Sequence, residues 1–96
     1  LAQDGMFILI ALIDEKTGKL KKSPDLISRG FVYLKENQEL LREVRIMIKK
    51  SIENKTQNNS MIDFDNIKND LGENISKFLY QKTGKRPLVI PVILSV

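Results

Sequence analysis

Ninety-six residues carry 16 Lys and Arg against 12 Asp and Glu, a net charge of +4, with neither cysteine nor histidine. That length supports one domain with one modest core, burying roughly 60–70% of the unfolded surface. The missing residue types exclude disulfides, a thiolate nucleophile, the commonest zinc ligands and the commonest general base; a magnesium site built from carboxylates alone stays open.

Residues Leu1 to Gly5 have no basic n-region and no initiator methionine, and they read as the cut end of a longer chain. Met6 to Ile13 is continuously apolar and rich in β-branched residues. Eight residues fall far short of the roughly 20 that a membrane-spanning helix needs. They predict a strand buried on both faces. A turn follows from Asp14 to Lys19, with Gly18 free to take a positive φ. Leu20 opens a short returning strand, and Ser23-Pro24-Asp25 breaks it. Leu26 to Leu34 predicts a third strand, in which Gly30 marks a bulge or a close backbone approach. Phe31 and Tyr33 fall on one face of it, and Val32 and Leu34 on the other.

From Glu36 the apolar period lengthens. Leu41, Val44, Ile48 and Ile52 recur at helical spacing, which predicts an amphipathic helix to about Glu53. Glu36, Glu39 and Glu43 lie early and Lys49 and Lys50 late, as the helix dipole favours. Asn54 to Ser60 is polar and reads as a loop. Asp63 is a good N-cap for a second helix, whose stripe runs through Phe64, Ile67, Leu71, Ile75, Phe78 and Leu79. Gly72 within it suggests close packing. Gly84 fits the position just past the helix end, and Pro87 prevents continuation. Leu88 to Val96 is a last strand, and Pro91 puts it at a sheet edge or at a bulge. The expected fold is α+β, a single domain over residues 1–96. Its order is β-β-β-α-α-β, with a small mixed sheet of three or four strands and both helices on one face.

Motifs that carry chemistry are scarce. Gly18-Lys19 and Gly84-Lys85 lack both the following Ser/Thr and the preceding glycine of a phosphate-binding loop. The helix–helix connection contains no glycine, so it cannot supply the GXXG clamp of a KH domain. Asp63, Asp65, Asp70 and Glu73 do not match a calcium loop. The basic excess is spread evenly along the chain, whereas a nucleic-acid footprint is a concentrated patch. Folding could still gather Lys16, Lys19, Lys21 and Lys22 with Lys85 and Arg86.

Three strings of residues go further than periodicity does. The first is Asp4-Gly5, the apolar strand, and Ile13-Asp14-Glu15-Lys16-Thr17-Gly18-Lys19. The second is Pro24-Asp25-Leu26-Ile27-Ser28-Arg29-Gly30-Phe31-Val32-Tyr33. The third runs from Lys77-Phe78-Leu79-Tyr80 through Thr83-Gly84-Lys85-Arg86-Pro87 to Ile90-Pro91-Val92-Ile93. In this order and spacing they resemble the C-terminal domain of the ribonuclease J family, over nearly the whole chain. Members usually carry Arg-Arg-Pro where this chain has Lys85-Arg86-Pro87.

That resemblance implies an accessory domain behind metallo-β-lactamase and β-CASP domains, in a cytoplasmic enzyme that cleaves RNA endonucleolytically and degrades it 5′→3′. It implies two metal ions, usually zinc, held by His/Asp-rich motifs outside this segment, and no cofactor within it. The implied partners are the catalytic domains of the same nuclease, further subunits in a homo- or hetero-oligomer, and RNA through the full-length enzyme; no membrane is implied. No catalytic or metal-binding residue carries over. Arg29, Lys85 and Arg86 are the candidate contacts to RNA or to a partner, the domain being either an assembly module or one that holds substrate through phosphate contacts.

Overall fold

The computed structural model describes residues 4–56 and 61–96; the reading of Leu1 to Gln3 as a cut end, and of Gln57 to Ser60 as loop, lies outside them. The chain forms β1 (Met6–Ile13), β2 (Asp25–Arg29), a short 3-10 turn (Leu34–Glu36), α1 (Gln38–Lys55), α2 (Phe64–Thr83) and β3 (Leu88–Ser95). The sheet order is β2-β1-β3. β1 pairs antiparallel with β2 and parallel with β3, so the sheet is mixed, as expected. Both helices pack on one face of it. Phe7, Leu9, Ala11 and Ile13 of β1 share a core with Leu41, Val44, Ile48 and Ile52 of α1 and with Ile67, Leu71, Ile75 and Leu79 of α2. The α1 residues are the four whose spacing predicts that helix.

The helix ends follow local chemistry. Asp63 Oδ1 accepts from the Asn66 amide at 3.1 Å, capping α2. Gly84 ends that helix at φ 72°, and its amide donates to the Tyr80 carbonyl. A left-handed residue there costs a glycine nothing.

The order is β-β-α-α-β, one strand fewer than expected. The segment at Leu20 makes a single antiparallel bridge to Ile13. A tight turn closed by the Asp14 and Lys19 backbones, followed at once by Ser23-Pro24, leaves no length for a strand. The strand foreseen from Leu26 to Leu34 ends at Arg29, and the cause is local. Ser28 Oγ donates to the Val32 carbonyl at 2.8 Å and accepts from the Val32 amide at 3.2 Å, closing a reversal through Gly30. Phe31 is thereby folded into the core, edge-to-face with Phe7 at 6.1 Å. Tyr33 is 77% exposed, so the two aromatics do not share a face.

Gly5 and Gly30 meet where β1 begins. An added Cβ at Gly5 would sit 2.2 Å from the Arg29 carbonyl oxygen, and the φ of +84° is one that other residues rarely adopt. The close approach foreseen at Gly30 is therefore present, with Gly5 as the more constrained partner. Gly72 differs: an added Cβ there meets nothing within 4 Å, so no close packing explains it.

Pro91 lies in an edge strand without a bulge, because the register from Met6↔Leu88 to Ile13↔Ser95 is unbroken. The Leu88 amide donates to the Gly5 carbonyl and the Val96 amide to that of Ile13. Alternation then turns the even-numbered amides of β3 toward β1 and position 91 outward. Proline thus removes a donor from the free edge and none from the ladder.

Phe78 is only half-buried, flanking the stripe that Leu79 completes at full burial. Leu79→Ala is expected to cost about 2–5 kcal/mol and Phe78→Ala only about 1–2 kcal/mol; urea unfolding that reverses the order would show the helix rotated. The two glycines give opposite expectations. Gly5→Ala should lose about 2 kcal/mol or more to backbone strain and contact. Gly72→Ala should gain about 0.5–1 kcal/mol from helix propensity alone. Thermal melts of the two variants moving in the same direction would contradict this geometry.

Candidate functional site

The strand read as buried on both faces is buried on one. Along β1 the odd positions Phe7 to Ile13 are fully buried, and the even positions Ile8, Ile10 and Leu12 are only half-buried. Registered beside them on the same face are Ile27 of β2 and Leu88, Ile90, Val92 and Leu94 of β3. Met6, Leu88 and Leu94 are 38%, 48% and 49% exposed. The physical reason is a shortage of cover, since both helices lie against the opposite face. The outcome is a continuous apolar surface, interrupted only at its β2 margin by Asp25 and Arg29. Strand rise and spacing make it roughly 20 Å by 14 Å, on the order of 300 Å² in projection, the size of the largest apolar patch on an ordinary monomer, which is often a functional one.

The candidate contacts Arg29, Lys85 and Arg86 are brought together at one end of the sheet. Arg29 pairs in register with Met6, which pairs with Leu88. Lys85 Nζ donates to the Phe31 carbonyl at 3.3 Å. The Arg86 amide donates to Asp4 Oδ2 at 2.6 Å, and its guanidinium lies 4.3 Å from the Tyr80 ring centroid. Lys85 and Arg86 therefore tie the turn after β2 and the entry to β1 onto the end of α2. Arg29 is exposed. Tyr80, 45% exposed beneath Arg86, is a neighbour that spacing alone does not indicate.

Lys16, Lys19, Lys21 and Lys22 do not join this group. They follow the far end of β1, where the Asp14 amide donates to the Lys19 carbonyl and the Lys21 amide to that of Leu12. Lys85 and Arg86 sit at its beginning. Eight strand residues place the two ends about 23–26 Å apart.

Two of the four acidic residues at α2 are in structural use. Asp63 caps the helix, and Asp70 pairs with Lys55 across the two helices. Among the described residues no three His, Cys, Asp or Glu side chains converge on one point. A two-metal hydrolytic centre therefore has no fit to the residues present here. No described helix is long and apolar enough to cross a membrane.

Comparison with known proteins matches the ribonuclease J C-terminal domain profile to residues 1–96. Ribonuclease J 2 of Staphylococcus epidermidis is 38% identical over all 96 residues, and that of Staphylococcus aureus is likewise 38% identical over the same span. In both, the chain spans 17% of the relative's length. Matched by that profile from first residue to last, the chain belongs to the ribonuclease J C-terminal domain family.

Proposed function

We propose that this chain is the accessory domain of an RNA-degrading enzyme of the ribonuclease J kind, and that it acts by assembly: its outer sheet face docks onto the catalytic part of the nuclease or onto a neighbouring subunit. The observation that carries the reading is the apolar face of Ile8, Ile10, Leu12, Ile27, Ile90 and Val92, which neither helix covers. A standard interface buries roughly 800 Å² per partner, so this face supplies the desolvated centre and its surroundings supply the rim. Support also comes from the relatives, whose length is mostly outside the matched segment. In this reading the exo- and endonucleolytic chemistry and its metal ions belong to that remaining length, in a cytoplasmic enzyme. The domain's part is to hold subunits in the arrangement that works.

Two outcomes test this. The 96-residue chain alone should leave a labelled RNA uncut with zinc, manganese or magnesium present; metal-dependent cutting that a point substitution within the chain abolishes would overturn the division of labour. In the full-length enzyme, Ile8→Lys or Val92→Lys should reduce the mass found by light scattering while a circular dichroism melt still shows the domain folded. A lysine at the centre of a desolvated face is costly unless it is paired. An unchanged mass for both folded variants would sink docking onto a neighbouring subunit, and an unchanged melting temperature of the full-length enzyme as well would sink docking onto its catalytic part.

A further inference from the structure

The basic side chains are spread evenly along the sequence, but not on the surface. The connection from β1 to β2 lies against the outer side of α1, and between them runs a groove of about 510 Å³. Lys19 and Lys22 line one wall, Arg42, Arg45 and Lys49 line the other, and Glu53 is the single acidic residue of the lining. Leu20, Pro24 and Ile46 form its apolar part. We propose that this groove is a phosphate-contact site for single-stranded RNA. The choice of RNA as the anion rests on the ribonuclease reading above; the position of the site does not.

Three features support it. The first is spacing. Arg42, Arg45 and Lys49 stand at i, i+3 and i+7, so they follow one another along the helix axis by about 4.5 and 6 Å. That is comparable to the separation of neighbouring phosphates on one strand.

The second is orientation. Arg45 Nε donates to the Pro24 carbonyl at 3.4 Å, which anchors the half-buried guanidinium across the groove. Nε is the only donor so used among the described residues, and the terminal amino groups are those suited to gripping a phosphate. Lys22 and Arg42 pair with Asp25 and Glu39, both at 3.2 Å, but all four side chains are more than half exposed. Pairs this wet are worth little and exchange readily for a stronger anion.

The third is composition. Protein-docking surfaces are depleted in lysine at their centres, and half of this lining is cationic. An acidic protein segment therefore fits less well than a phosphate backbone. The lining holds no aromatic side chain on which a base could stack. Binding is consequently to the backbone, without preference for base.

The test is fluorescence anisotropy of the 96-residue chain with labelled oligouridylate and oligoadenylate across a salt series. The two oligonucleotides should bind alike. Lys19→Glu with Lys49→Glu should weaken binding by about tenfold or more and flatten the salt slope by about 1.4, since each single-strand phosphate contact contributes about 0.7. Lys85→Gln with Arg86→Gln, the competing candidates at the opposite end of the sheet, should change affinity less than about twofold. Circular dichroism confirms that each variant is folded. Loss of binding in the second pair but not the first would overturn the groove, and so would an absence of binding at low salt. Equal affinity for a polyglutamate peptide would reassign it to an acidic protein partner. None of these results bears on the assembly reading, which the mass of the full-length enzyme decides separately.

Discussion

A central strand with eight apolar residues can hide both of its faces only if something covers both, and this chain has two helices for one face. Nearly everything else in the structure follows from that shortage. The odd positions of β1 take all of the helix cover, so Phe7, Leu9, Ala11 and Ile13 anchor the core that α1 and α2 close. The even positions are shielded only by neighbouring strands. Ile8, flanked in register by Ile27 and Ile90, is partly dried by them but still reaches the surface. So apolar a second face gives an isolated domain nothing. The proposed docking is built on that excess.

Much of the fold is legible in the residues because its determinants are local. The α1 stripe, the Asp63 cap and the Gly84 terminus depend on spacings within a few residues, and each is realised. Pro91 also reads correctly as an edge signal, and the ladder adds why it is tolerated: its nitrogen faces the free side of β3. The failures come from a side chain that bonds its own backbone and from cover that composition does not report. Ser28-Arg29-Gly30-Phe31-Val32 looks like strand by composition, yet the Ser28 hydroxyl reverses the chain by bonding Val32 on both sides. Phe31 then finds Phe7, more than twenty positions earlier. Strand propensity cannot foresee a side chain that competes with the ladder for its own backbone. Nor can periodicity tell a strand covered on both faces from one that presents an apolar face to solvent.

The three strings that carry the family resemblance have a physical meaning in the fold. Asp4-Gly5, the turn after Ser28, and Lys85-Arg86-Pro87 all meet at one end of the sheet. Arg86 donates to Asp4, Leu88 to Gly5, and Lys85 to Phe31. Gly5 fits there because its missing Cβ leaves room for the Arg29 carbonyl. The most recognisable residues therefore pin the entry to the central strand, and two of the three candidate contacts owe part of their placement to this structural task. Recognition by sequence in such a domain is mainly recognition of how its sheet is tied together.

Charge is the property that sequence order conceals most. Each third of the chain has nearly balanced charge, and a linear count finds no patch. Folding sets Lys19 and Lys22 against Arg42, Arg45 and Lys49 across one groove, because α1 has to lie along the β1–β2 connection. Thr56 Oγ1 donates to the Gly18 carbonyl at 2.6 Å and Arg45 to that of Pro24, fixing the helix against that connection at two points. The groove belongs to the helix side of the molecule beside the edge strand β2, and the apolar face belongs to the other side of the sheet. A partner seated on the sheet leaves the cations open to solvent. The proposed docking and the proposed phosphate contact therefore do not compete for the same surface, since one uses the outer face of the sheet and the other the groove beside α1.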